Sequence, residues 1–297
     1  MRIGDFFTKV ATLLVATMIS GAAWAQDGIT GLTTIGKPVN GAYGFQPAAT
    51  ELARDIHWLD GMLNWIMGAI CVFVTLLLIW VLVRYNKRAN ENAARFTHHS
   101  TVEVVWTVVP ILILIVIGSF SLPILFKQLE IPEADMTIKV TGSQWYWTYE
   151  YTDNEFEFDS YMIGAGEPGL TDAVKAELAE YGYATDEYLL ATDNAVVVPV
   201  NAVVRLQLTG SDVIHSWAIP AFGVKLDAVP GRLNETWFSA DVEGVYFGQC
   251  SELCGKDHAY MPITVKVVSQ DVYDAWLNRA TEEFAGLPSS ITVASAN

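Results

Sequence analysis

Residues 250–261 read CSELCGKDHAYM, which sets Cys250, Cys254, His258 and Met261 at spacings of four, four and three. How these donors are used decides the fold of the half of the chain that carries them. A disulfide staple, a zinc site and a copper site each need a different framework and a different compartment. The compartment is therefore read first, and then the residues that could complete a coordination sphere.

The chain has 297 residues, of which 52% are hydrophobic, more than an ordinary soluble protein carries. Residues 1–25 combine basic Arg2 and Lys9 with a short apolar run and end in Ala23-Trp24-Ala25, the pattern of a cleaved signal peptide. The stretch 63–83 holds no charge over 21 residues, and 104–125 none over 22. Each is long enough to cross about 30 Å of hydrocarbon as a helix, so a transmembrane hairpin is expected over 63–125. Its connecting loop, 84–103, carries Arg84, Lys87, Arg88 and Arg95, which places it in the cytoplasm by the positive-inside rule. Both flanks are then outside.

From Lys127 to the end there are 26 acidic and 9 basic residues, a net charge of −17. Such a surface repels nucleic acid and suits a basic partner. Residues 26–62 are polar, with Gly and Pro, and read as an irregular segment. Short β-rich runs follow the hairpin at 136–140, 144–151, 196–209, 215–219, 235–238, 246–249 and 263–268, separated by Gly, Pro, Asn and Asp. They predict a sandwich or Greek-key barrel over 126–280. A small exposed helix is expected at 171–181, a second helix from 271 with Ser269 as its cap, and a tail over 281–297.

Of three cysteines, Cys71 lies in the first span, where it serves as a small hydrophobe. In an oxidising compartment the plain reading of Cys250 and Cys254 is a disulfide. Of five histidines, only His215 and His258 fall in the β-rich region. Two thiolates, two imidazoles and a thioether make a soft donor set that favours copper, whereas zinc would leave Met261 idle. A single blue-copper ion needs one thiolate, and here there are two. Two thiolates can instead bridge two copper ions. Chemistry alone ranks a dinuclear copper site first, a disulfide second and zinc third.

Two further stretches carry candidate roles. In QWYWTYEY, residues 144–151, strand alternation puts Trp145, Trp147, Tyr149 and Tyr151 on one face and Tyr146, Thr148 and Glu150 on the other. Ser100-Thr101-Val102-Glu103 has the form of a capping box, which gives Glu103 a structural role at the start of the second span.

The run CSELCGKDHAYMP, the upstream DVIHSWAIPAFGVKLDAVPGR, the aromatic QWYWTYEY and the paired spans together resemble subunit II of the aa3-type haem-copper cytochrome c oxidases of bacteria, over nearly all the chain beyond the leader. The resemblance implies a two-helix transmembrane hairpin followed by an all-β cupredoxin-like extracytoplasmic domain holding a dinuclear copper centre, CuA. The implied ligands are His215, Cys250, the backbone carbonyl of Glu252, Cys254, His258 and Met261. Glu252 is further implied, through its side chain, in holding magnesium or manganese where the subunit meets subunit I. The function implied is electron acceptance from cytochrome c and delivery to haem a of subunit I, which also carries haem a3 and CuB, with subunit III as a further partner. Trp145 matches the electron-entry tryptophan, and Glu150, Asp159, Asp193 and Asp212 match acids that meet a basic cytochrome c. Glu103 matches a residue at the mouth of a proton path. The implied location is the bacterial inner membrane, with the copper domain in the periplasm.

The chain departs from relatives at Ser143, where many have His or Tyr, and around 164–187, a variable insertion. A thioredoxin-fold copper chaperone also uses CxxxC with a distant histidine, but downstream and on a one-helix anchor. Here His215 is upstream and the anchor is a hairpin. No CxxCH occurs, so the electron donor is a separate molecule.

Overall fold

A computed structural model describes residues 28–284 apart from 30, 91 and 93. The expected signal peptide and the tail beyond residue 284 lie outside the described residues. The chain divides into a helical unit, Glu51–Glu130, and a β unit made of the residues up to Thr50 and from Ile131 onward.

In the helical unit, α1 (Glu51–Arg84) and α2 (Ser100–Leu129) are both long and apolar enough to cross a membrane, and their apolar windows are wholly unburied. Surfaces of that kind are built for lipid. The first helix begins at Glu51 rather than at the apolar boundary near 63. Its 34 residues span about 51 Å, well beyond the hydrocarbon thickness, and the polar first turns have good helix formers and no proline to stop them. Those turns are tied down by Lys127, whose ammonium lies 2.7 Å from both Glu51 and Asp55. Nearby, Trp58 packs edge-on against Phe120. The capping box predicted at Ser100 is displaced by one residue. His99 is the N-cap, its Nδ1 accepting from Val102 N–H, while the Glu103 carboxylate accepts the His99 N–H at 3.0 Å. An imidazole nitrogen thus does what a hydroxyl was expected to do.

The β unit opens with β1 (Thr34–Gly36), which pairs in parallel with β10 (Gly244–Gln249), so the segment before the first helix is part of the sheet rather than irregular throughout. After the hairpin come β2 (Met136–Ser143), β3 (Tyr146–Tyr151) and β4 (Phe156–Ser160), then α3 (Asp172–Glu180). There follow β5 (Val196–Pro199), β6 (Val204–Gly210), β7 (His215–Ile219), β8 (Val224–Ala228), β9 (Asn234–Phe238), β10 (Gly244–Gln249), β11 (Pro262–Val268) and α4 (Gln270–Phe284). One sheet has the order β4-β3-β2-β6-β9, the other β1-β10-β11-β5, and β7 and β8 form a hairpin of their own.

Period-two burial explains the first sheet. Ile138, Val140, Leu206 and Leu208 point inward, and their neighbours do not. The second sheet departs from that pattern because both its faces are covered. Tyr246 joins the main core, whereas Val245 and Phe247 on the other face pack with Ile163, Val174, Leu178 and Tyr183. The helix predicted as exposed at 171–181 is therefore half of a cover: α3 buries Val174 and Leu178, four residues apart, over the back of β10. The run 196–209 is not one strand. It breaks after Pro199 at Asn201, which takes a left-handed φ of 64°, and its two halves enter different sheets. The last helix, α4, buries Tyr273, Trp276 and Ala280 along one stripe and sets Trp276 against Tyr151 and Phe156. Its first intrahelical bond runs from Tyr273 N–H to the Ser269 carbonyl, the bond expected of an N-cap residue.

Candidate metal centre

Three elements deliver the donors. Strand β7 begins at His215, which is completely buried, and β10 ends at Gln249, so the chain leaves the sheet at Cys250. Residues 250–261 then loop back, with a single tight turn at His258–Tyr260, before β11 starts at Pro262. Room for the His215 ring depends on β2, because a Cβ at Gly142 would sit 2.9 Å from it. The indole of Trp147, fully buried, packs edge-on against the same ring and donates from Nε1 to the Met261 carbonyl at 3.2 Å.

Cys250 and Cys254 are free and buried, with their sulfurs 3.9 Å apart. That is far too long for a disulfide and within the reach of two metal–sulfur bonds of about 2.3 Å each. Around the Cys250 sulfur lie His215 Nδ1 at 3.9 Å and the Glu252 carbonyl at 3.4 Å. Around the Cys254 sulfur lie His258 Nδ1 and Met261 Sδ, each at 3.5 Å. The donor atoms of His215, Cys250 and Cys254 all fall within 4.8 Å of one another. Every donor named from the 250–261 stretch is thus brought to one place, thioether included. A buried thioether beside the Cys254 thiol is a soft donor of the kind a soft ion favours, and tetrahedral zinc would not use it.

The protonation states fit a cation site. Burial pushes the Cys250 thiol up, but hydrogen bonding with His215, with the backbone at Glu252 and Ser216, and with His258 outweighs it and leaves the group at about 7. Cys254 moves the other way, pushed up to about 12 by burial and by the neighbouring Cys250. Two thiols this close resist both being charged unless a cation lies between them.

Behind His215 stands Asp212. Its Oδ1 is 2.9 Å from His215 Nε2 and also accepts the Val213 N–H, while Oδ2 accepts the Gln144 N–H at 2.8 Å. Burial pushes this carboxyl up, yet the imidazole and the two amide groups more than offset it and hold it below its usual value. With Nε2 tied to a carboxylate, Nδ1 is the nitrogen turned toward the sulfurs, the arrangement that metal-binding imidazoles favour. The spacing Asp-x-x-His could have suggested this partnership, but the sequence alone assigns Asp212 to the surface.

The remaining predicted residues are dispersed. Trp145 precedes β3 and is partly buried, with its ring against the backbone of Gly255, next to Cys254. It lines a cavity of about 380 Å³ together with Met162, Glu167, Tyr188, Lys256 and Tyr260. Lys256 Nζ lies 5.6 Å from the centre of the Trp145 ring, a cation that spacing alone does not connect with it. Glu150 pairs with Lys139 at 2.6 Å. Asp159 is exposed and accepts from Thr148 at 2.6 Å. Asp193 is drawn inward, its Oδ1 accepting N–H groups of Tyr161 and Asn194. The Glu252 side chain is exposed. Glu103 belongs to the helical unit, where it caps α2.

Fold and site together define a class: a membrane-anchored, two-sheet β domain with a candidate soft-metal site of two thiols, two imidazoles and a thioether. The description "cytochrome c oxidase subunit II, periplasmic domain" matches residues 136–268, and "cytochrome c oxidase subunit II, transmembrane domain" matches 38–124. Cytochrome c oxidase subunit 2 of Cereibacter sphaeroides is 56% identical over 284 residues, covering 94% of this chain and 93% of that one. A probable cytochrome c oxidase subunit 2 of Rickettsia bellii is 42% identical over 273 residues, covering 92% and 93%. Among solved structures, the periplasmic domain of subunit II of the Bradyrhizobium japonicum cytochrome oxidase is 52% identical, covers 52% of this chain and 100% of that one, and aligns with a TM-score of 0.44. The chain belongs to the cytochrome c oxidase subunit II family. It is accordingly a cupredoxin-like, membrane-anchored electron-transfer subunit of a haem-copper oxidase.

Proposed function

We propose that His215, Cys250, the Glu252 carbonyl, Cys254, His258 and Met261 together hold a dinuclear copper centre, and that cytochrome c is the donor that reduces it. The observation that carries this reading is the convergence of both thiols, both imidazole Nδ1 atoms and the Met261 thioether in one cluster, buried except at the half-buried His258. When bound, the copper pair supplies a one-electron relay whose charge is spread over two ions and two thiolates, between cytochrome c and haem a of subunit I.

The protein's own residues prepare that chemistry. The two buried thiols, one of them near 7, would bind the cation as thiolates, with their protons released to solvent. Asp212 fixes the His215 tautomer. The β framework on either side keeps the donors from moving as charge changes. Trp145, packed on the Gly255 backbone, offers a π-surface between the ligand loop and the exterior. Exposed Asp159 and partly exposed Glu150, on a domain with net charge −17, favour the basic rim of a cytochrome c. Asp193 and Asp212 contribute to the same negative field, although their oxygens are already engaged. The exposed carboxylate of Glu252 is a hard donor suited to magnesium or manganese at the contact with subunit I. Glu103 is assigned to the mouth of a proton path beside its capping role. The basic loop 84–103 supports a cytoplasmic side for that residue and a periplasmic side for the metal cluster, in a bacterial inner membrane with subunit III and lipid around the helices.

Rapid mixing of the assembled oxidase with reduced cytochrome c tests the donor. The bimolecular rate of copper reduction is expected to fall steeply with ionic strength, since attraction beyond a Debye length of about 8 Å is screened at physiological salt. A salt-independent rate, or none with a basic cytochrome c, would reject the donor assignment.

A further inference from the structure

The entry tryptophan and the ligand loop are held together by a residue that neither chemistry nor spacing singles out. Gln144 sits between Ser143, the last residue of β2, and Trp145. Its side-chain Nε2 donates to the Cys254 carbonyl at 2.7 Å, and its backbone N–H donates to Asp212 Oδ2 at 2.8 Å. Asp212 in turn holds His215 Nε2 through its other oxygen. One residue thus touches both halves of the cluster, the thiolate loop directly and the upstream histidine through one carboxylate. The contact is close. A Cβ added to Gly255, whose φ is +130°, would lie 3.1 Å from Gln144 Nε2 and 3.0 Å from the Trp145 ring. Glycine here lets the loop backbone lie flat against both side chains.

We propose that Gln144, although exposed, is a positioning residue that fixes the ligand loop relative to Trp145 and His215, and so sets the geometry of the metal cluster and the speed of electron entry through these bonds rather than by donor recognition. The inference rests on the copper and Trp145 assignments above. The two ends of the loop 250–261 are held by the Ser251 N–H on the Ser216 carbonyl and by Trp147 on the Met261 carbonyl, and Gln144 ties its middle at Cys254. The hydrogen bond from the Gln144 side-chain amide to the Cys254 carbonyl acts one residue from Gly255, where the backbone is most free to shift. A glutamate in this place keeps the shape and reverses the interaction: an acceptor would face the Cys254 carbonyl, and the loop would be pushed off the tryptophan.

The test is made in the assembled oxidase with Gln144→Glu, Gln144→Leu and the milder Gln144→Asn, whose amide is one methylene too short to reach. Three readouts are taken on each: the electron spin resonance of the copper centre, the first-order rate of copper reduction at saturating cytochrome c, and KM with its salt dependence. The expected result is an altered copper spectrum and about a fivefold or greater slowing of reduction in Gln144→Glu and Gln144→Leu, the loss of roughly one hydrogen bond's worth of ordering, with KM and its salt slope unchanged in the charge-neutral Gln144→Leu. Gln144→Asn is expected in between. A wild-type spectrum and rate in Gln144→Glu and Gln144→Leu would overturn the proposal. A raised KM with an unchanged spectrum would overturn it too, by making Gln144 a recognition residue. If the unsubstituted protein itself shows no dinuclear signal, the copper reading fails, which these comparisons between variants keep distinct.

Discussion

Asp193 and Asp212 look alike as acidic letters on an acidic domain, yet their surroundings give them opposite chemistry. Burial pushes Asp193 up to about 6 from 3.8, against three backbone N–H groups that pull it down, and nearby Asp159 adds to the rise. A carboxyl raised in the folded state costs stability. The cost is absent below about pH 3.8, grows between there and about 6, and is complete above that. It is of the order of 3 kcal/mol, since each tenfold change in proton affinity is worth about 1.4 kcal/mol. Asp193→Asn keeps the Oδ1 acceptor used by Tyr161 and Asn194, so it is expected to raise Tm near neutral pH, with the gain vanishing toward about pH 4. Thermal unfolding of both forms across that range checks this, and a gain independent of pH would refute it. Within the cluster the residues also differ in weight. Cys250→Ser is expected to abolish copper retention, since the remaining single thiolate bridge leaves each ion one soft donor short, whereas Met261→Leu is expected to keep both ions and shift the potential. Metal analysis and a redox titration of each purified variant separate the two effects.

The elements that frame the cluster owe their closeness to two glycines. Strand β7 lies against both sheets: Gly142 of β2 leaves room for the His215 ring, and a Cβ at Gly248 of β10 would collide with the Ala218 carbonyl on β7. Gly248→Ala is therefore expected to cost about 3 kcal/mol or more, because backbone cannot yield as a side-chain tip can. A Tm indistinguishable from wild type would show that β7 and β10 are not so tightly apposed. Much of this layer was legible in sequence. Alternation in residues 136–140 and 144–151 and the apolar run at 263–268 marked strands that the structure contains. What stayed hidden depended on partners far along the chain. Strand β1 exists because β10 offers it an edge, and β4 because β3 does. The inward face of α3 is set by the back of β10 rather than by its own weak pattern. The ligand cluster was legible because its donor types are few and their chemistry restrictive. The Asp212–His215 and Gln144–Cys254 bonds were not, since common polar residues declare their roles only through geometry.

At the scale of the whole molecule, charge and hydrophobicity are sorted along the chain. Two lipid-facing helices, a basic loop and a domain of net charge −17 give each region one environment. Protease added outside spheroplasts is expected to cleave the β unit and spare residues 84–103, and cutting in that loop would reverse the assigned orientation. The same sorting separates attraction from transfer. Asp159→Asn is expected to raise KM and flatten its salt dependence with the maximal rate kept, while Trp145→Phe is expected to slow transfer with KM kept. All of this depends on what the thiols hold. The most direct measurement is electron spin resonance combined with metal analysis of the CuA signal on the oxidised, assembled protein. Two copper ions in this subunit sharing one unpaired electron are expected, with hyperfine structure from both nuclei. A spectrum from a single copper nucleus, or zinc in its place, would contradict the dinuclear assignment.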